Sequence, residues 1–156
     1  YIRGLELAGT YTFTSLPGLW SGLGINANYS YTQSETEVGG GVFYDNNLTL
    51  PGLSENVVSA TLFWDSDHMS AHVNVRWRDE FVQNLPIPGA GSPTLAQPYT
   101  TVDAQFSYSW ENGLMIVVSG DNLTDEENLI EYGYNGSLGE YKQFGRQYYV
   151  GFNWVY

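Results

Sequence analysis

The stretch that decides the fold is Tyr99-Thr100-Thr101-Val102-Asp103-Ala104-Gln105-Phe106-Ser107-Tyr108-Ser109-Trp110. Thr100, Val102, Ala104, Phe106, Tyr108 and Trp110 fall on one side of an extended chain. Tyr99, Thr101, Asp103, Gln105, Ser107 and Ser109 fall on the other. Successive side chains of a strand point to opposite faces, so this reads as one long strand with an apolar and a polar face. The alternation recurs at 69–78, where Met69, Ala71, Val73, Val75 and Trp77 oppose Ser70, His72, Asn74, Arg76 and Arg78. It recurs again at 23–32 and at 148–156.

Worked outward, the pattern predicts seven strands, at about 2–14, 22–34, 54–65, 69–80, 99–110, 114–122 and 143–156. Their connections alternate in length. Short ones at 15–21, 66–67 and 111–113 are interleaved with long ones at 33–53, 81–98 and 123–142. Short turns at one end and long loops at the other describe a transmembrane, antiparallel up-and-down β-barrel of the outer-membrane kind. Strands of this length exceed the roughly 5–6 residues usual in globular sheets, which weighs against a soluble β-sandwich. Aromatic residues near strand ends (Trp64, Trp77, Tyr99, Trp110, Trp154, Tyr156) suit interfacial girdles.

On this reading Leu23, Ile25, Ala27, Tyr29, Val73, Val75, Val102, Phe106, Ile116, Val118, Val150 and Phe152 face lipid. Glu55, His72, Asn74, Arg76, Arg78, Asp103, Gln105 and Asp121 face the lumen. An odd set of seven strands does not close a bacterial barrel, and the chain begins inside a strand without an initiator Met. The expectation is a piece of a larger all-β barrel, with earlier strands preceding Tyr1.

Composition removes other classes. The longest apolar run, Leu114–Val118, is far short of the roughly 20 residues of a membrane helix. The chain has no cysteine, hence no disulfide and no thiolate metal site. A net charge of −12 with five Lys and Arg argues against nucleic acid as partner. His68 and His72 lack Ser, Asp or ligand residues at catalytic or metal-binding spacing, so neither enzyme activity nor a cofactor is expected. Asp121, Asp125, Glu126 and Glu127 could suggest a divalent cation, but consecutive acids without regular ligand spacing read as a solvated loop.

Several local motifs add a resemblance. They are Gly4-Leu5-Glu6, Leu16-Pro17-Gly18-Leu19, Asn26-Ala27-Asn28-Tyr29-Ser30-Tyr31 and Leu50-Pro51-Gly52-Leu53-Ser54. Arg76-Trp77-Arg78-Asp79, Val102-Asp103-Ala104, Asn122-Leu123-Thr124-Asp125 and Gly145-Arg146-Gln147-Tyr148-Tyr149 complete the set. In order and spacing the chain resembles the C-terminal end of TonB-dependent outer-membrane receptors. The resemblance implies a 22-stranded barrel with an N-terminal plug, residues 1–156 being its last strands and the plug lying outside this sequence.

It further implies a non-enzymatic receptor for energy-coupled uptake of a scarce small-molecule ligand, a ferric siderophore or an oligosaccharide. A passive porin or structural barrel is the alternative. Implied partners are outer-membrane lipid and lipopolysaccharide, the TonB complex through the N-terminal part, and the barrel-assembly machinery. Phe152, Trp154 and Tyr156 would form the assembly signal, and Phe43, Tyr44, Asn46, Asn47, Tyr132, Tyr134 and Asn135 would meet ligand in the extracellular loops.

Two registers are predicted. A two-residue Ser66-Asp67 loop pairs Asp65 with His68 and sets Glu55 opposite Arg78 as a lumen ion pair. A three-residue Glu111-Asn112-Gly113 loop with left-handed Gly113 pairs Trp110 with Leu114 and sets Asp103 opposite Asp121 in the lumen, where the two carboxylates stay hydrated, share a proton or bind a cation, hydration being favoured.

Overall fold

The computed structural model describes residues 1–37, 47–86, 92–133 and 136–155. In chain order the strands are β1 (Ile2–Thr12), β2 (Leu23–Ser34), β3 (Thr36–Glu37), β4 (Asn47–Leu48), β5 (Asn56–Asp65), β6 (Met69–Arg78) and β7 (Phe81–Asn84). They continue as β8 (Thr94–Ala96), β9 (Tyr99–Ser109), β10 (Leu114–Asp121), β11 (Glu127–Tyr132), β12 (Ser137–Gln143) and β13 (Gln147–Trp154). The seven long strands form one sheet in the order β1-β2-β5-β6-β9-β10-β13, every neighbouring pair antiparallel. Among the described residues it is an open up-and-down meander with β1 and β13 at its edges, and no closed barrel is formed.

All seven expected strands are present. The last starts at Gln147 rather than 143, because β12 belongs to a different sheet and Gly145 (φ +74°) turns the chain between them. The short connections gather at one end, the first carrying a 3-10 helix at Gly18–Gly22. β13 finishes beside them, where Val155 N–H donates to the carbonyl of Gly113 at 3.0 Å.

Residues paired across a ladder share a face, so the register can be followed from strand to strand. Tyr11, Ile25, Leu62, Val73, Ala104, Gly120 and Tyr148 make one continuous row. The next row runs Leu23, Trp64, Ala71, Phe106, Val118 and Val150, and another runs Met69, Tyr108, Ile116 and Phe152. This apolar face is open, with Val118 41%, Leu62 48% and Phe152 72% exposed. Among the described residues, none of the buried apolar core comes from this face.

The apolar core lies elsewhere. Leu48, Val82, Leu95, Ala96 and Ile130, each at most 4% exposed, and fully buried Pro93 all come from the three long connections. Here the structure departs from the expected open loops. The second and third connections pair into a four-stranded antiparallel sheet, β12-β11-β8-β7. Gly52 N–H donating to the carbonyl of Val82 at 2.8 Å ties the first connection to them. Pairing lets the apolar residues of these segments bury one another.

One predicted register is overturned. Asp65 pairs with Ser70 and Arg78 with Val57, so neither Asp65–His68 nor Glu55–Arg78 is a pair. The turn is Asp67-His68: Ser66 N–H donates to the Met69 carbonyl (2.8 Å), and Met69 N–H donates to Ser66 Oγ (3.2 Å). The other register holds. Ser109 pairs with Met115, Trp110 N–H donates to the Leu114 carbonyl, and Gly113 has φ +81°. That ladder stops at Ala104–Gly120, one step before Asp103 and Asp121 would meet.

Candidate functional site

The polar side of the sheet collects the chemistry. Across the strands run the rows Asn28, Ser59, Arg76, Thr101 and Asn26, Thr61, Asn74, Asp103. His72 and Gln105 pair with each other one row further towards the short turns. Alternation keeps these residues on one face, so His72, Asn74, Arg76, Arg78, Asp103 and Gln105 are brought together as the sequence led one to expect. Asp121 continues this face on β10, paired with Gln147. Glu55 lies just above β5, its carbonyl accepting from Thr32 N–H at 2.8 Å.

Near the long-loop end this face carries a hollow of about 620 Å³, lined among others by Glu6, Ser30, Arg76, Arg78, Tyr99 and Thr101. The turn at 50–54 closes one side of it. Arg78 Nε donates to Ser54 Oγ (2.8 Å) and Arg78 Nη2 to the Gly52 carbonyl (2.9 Å). The same guanidinium lies 3.8 Å from the Phe81 ring centroid and 5.9 Å from that of Tyr99. Tyr99 pairs with Arg78 and so sits on the polar face, which removes it from the expected interfacial girdle. Ser54, 4% exposed, passes its hydroxyl hydrogen to the Asp79 carbonyl.

Below the hollow Arg76 Nη2 donates to Asp103 Oδ2 at 2.9 Å, with the Arg76 side chain 60% exposed. Asp103 Oδ1 accepts from Asn122 N–H (2.9 Å), so the carboxylate is held by two donors rather than simply hydrated. Asn122 takes φ +52° and is a joint in its own right. Its Oδ1 accepts from Glu126 N–H (2.8 Å), its Nδ2 donates to the Gly145 carbonyl (3.3 Å), and Glu126 Oε1 accepts from Thr100 N–H (2.8 Å). The acids at 121–127, read as a solvated run, thus include one that satisfies the backbone of β9. Sequence reasoning missed the joint. Its signal was Asn122, a residue type that tolerates left-handed backbone and bonds its own turn.

Among the described residues no cluster of His, Cys, Asp and Glu suits a metal ion. Of the expected loop ligand residues, Tyr132 is 53% exposed at the end of β11. Phe43, Tyr44, Asn46, Tyr134 and Asn135 lie outside the described residues, as does Tyr156, and Asn47 is described for its backbone only. Phe152 and Trp154 are exposed on β13.

A long-stranded meander, apolar on one face, polar and charged on the other, with its loops gathered at one end, is consistent with the class of β-barrel wall proteins. More particularly, the chain belongs to the TonB dependent receptor-like, beta-barrel family, whose model matches residues 1–123. Domains of this family are non-catalytic transport and receptor proteins. No curated protein and no solved structure matched the chain.

Proposed function

We propose that the chain is the C-terminal wall of a TonB-dependent outer-membrane receptor that imports a scarce ligand, a ferric siderophore or an oligosaccharide, at the expense of inner-membrane energy. The family match carries the reading. The sidedness of the sheet supports it, since each residue expected against lipid falls on the open apolar face.

Dimensions agree as well. On β9 the alternation from Thr100 to Trp110 spans eleven residues, ten steps along the strand. At about 3.3 Å each and a tilt near 45° that is roughly 23 Å of membrane normal, against an apolar band of about 25 Å. Two free sheet edges are not tolerated in hydrocarbon, so further strands complete the barrel, 22 in all by the family resemblance. The polar face then lines the lumen beside an N-terminal plug that reaches the TonB complex. The fused loops, with Tyr132 and the residues expected around 43–47 and 134–135, face the outside and its lipopolysaccharide. Phe152, Trp154 and Tyr156 guide assembly by the barrel machinery.

The test is uptake of labelled ferric siderophores and oligosaccharides by cells expressing the full-length receptor, with and without a protonophore. Accumulation of one cargo that collapses with the proton gradient supports the proposal. Uptake that survives the protonophore contradicts it and indicates a passive pore.

A further inference from the structure

Two of the short turns enclose a second, smaller hollow. It measures about 360 Å³ and is lined by His68, Tyr108, Ser109, Trp110, Glu111 and Asn112. Ser109 N–H donating to the His68 carbonyl (2.8 Å) locks the turn before β6 against the end of β9. Tyr108 and Trp110 stand edge to face, ring centroids 4.7 Å apart, and His68 lies 6.4 Å from Tyr108. Tyr108 belongs to the apolar row of Met69, Ile116 and Phe152, so the hollow opens where the apolar face meets the turns.

We infer that this hollow is a headgroup site for a glycerophospholipid bearing a primary amine. The inference rests on the membrane-wall reading above, which puts this end of the apolar face at one leaflet boundary. The lining offers a carboxylate for the headgroup's ammonium and hydrogen-bonding side chains for its phosphate. Glu111 is exposed and enters no ion pair among the described residues, which leaves its carboxylate for an ammonium. The Tyr108–Trp110 pair adds aromatic surface that attracts the same cation.

For the phosphate, Asn112 Oδ1 already accepts from Leu114 N–H (3.1 Å), which turns Nδ2 into the available donor, and the His68 imidazole stands across the hollow. Acyl chains leaving this point run along Ile116, Val118 and Phe106, on an apolar face where Val118 and Phe106 are exposed. A lipid therefore fills polar and apolar needs at once, which neither a free phosphate nor a free amine does.

The experiment uses the full-length receptor, extracted in mild detergent and offered equimolar phosphatidylethanolamine and phosphatidylglycerol of matched chains, with bound lipid counted by native mass spectrometry. Wild type retains phosphatidylethanolamine about fivefold over phosphatidylglycerol, the scale of one charge-assisted contact with aromatic support. Glu111→Gln brings the two lipids to parity without lowering total lipid, and Trp110→Ala lowers both. Equal retention by wild type, or an unchanged preference in Glu111→Gln, overturns the headgroup site. Heat-modifiable migration after reconstitution is scored on the same samples. A receptor that inserts but shows no preference sinks this site alone, and one that does not insert sinks the wall reading with it.

Discussion

Arg78 on strand β6 donates its Nε hydrogen to the hydroxyl of Ser54, at 2.8 Å, across the point where the first long connection rejoins the sheet. The contact fastens a loop to the wall. With the second bond to the Gly52 carbonyl and the stacking on Phe81, it uses the fork geometry of a guanidinium, which an ammonium lacks. Arg78→Lys is therefore expected to behave much like Arg78→Ala. Both release the turn at 50–54, at a cost of roughly 1.5–3 kcal/mol for hydrogen bonds from a charged group. Hydrogen exchange of the Gly52 and Leu53 amides reads it directly, and unchanged protection in the alanine variant would remove the latch.

Asp103 is expected to matter more than its ionic partner. Arg76 is largely exposed, so Arg76→Ala removes an ion pair worth about 0–1 kcal/mol. Asp103→Ala also strands the Asn122 N–H, and about 1–3 kcal/mol follows for a backbone donor left without a partner. Urea titration of the refolded receptor should rank the two variants in that order.

Gly52 and Gly113 both have φ +81°, yet their surroundings differ. A Cβ on Gly52 meets nothing within 4 Å, whereas one on Gly113 would lie 2.0 Å from the Val155 carbonyl oxygen. Gly52→Ala should thus cost only the backbone strain, about 1–2 kcal/mol. Gly113→Ala must also push the end of β13 away and should depress the yield of inserted receptor. Equal yields from the two variants would contradict the docking of β13 at that turn.

Tyr141 on β12 donates its hydroxyl hydrogen to the Glu127 carboxylate, and that bond chiefly, with desolvation behind it, raises the phenol above its ordinary value. A raised folded-state value means the contact contributes fully below the unfolded value of about 10 and is lost as pH climbs through the folded one. In absorbance titrations near 295 nm, the step that Tyr141→Phe removes should fall later than the bulk of the tyrosines. Glu127→Gln should move it earlier.

How much the sequence could tell depends on the kind of information each feature needs. Strict alternation in 69–78 and 99–110 makes strands and faces legible, because a slip of one residue would turn every Val and Phe to the wrong side. The turn between β5 and β6 escaped for the complementary reason. Moving it from Ser66-Asp67 to Asp67-His68 shifts the ladder by two residues and leaves all faces intact, so hydrophobic pattern is blind to it.

What selects the observed register is the set of bonds between Ser66 and Met69, together with Ser70 donating to Asp65 (2.6 Å). The loop sheet was hidden because strands as short as Thr94–Ala96 carry too few residues to show a period. Within the site, the shared face of Arg76 and Asp103 was readable from parity, but the clamp of Asn122 on Glu126 and Gly145 needs contacts distant in sequence.

In the proposed receptor the open face carrying Val73 and Val75 meets lipid while the face carrying Asn74 and Arg76 meets water. This chain has no native cysteine to interfere with labelling at these positions. Nitroxides placed singly at 73, 74, 75 and 76 of the full-length receptor in bilayers, read by power saturation with oxygen and with a water-soluble nickel chelate, test it most directly. Alternation is expected, with oxygen dominating at 73 and 75 and the nickel chelate at 74 and 76. Residues 73 and 75 shielded from both reagents, as in a dry core between two protein sheets, would contradict it.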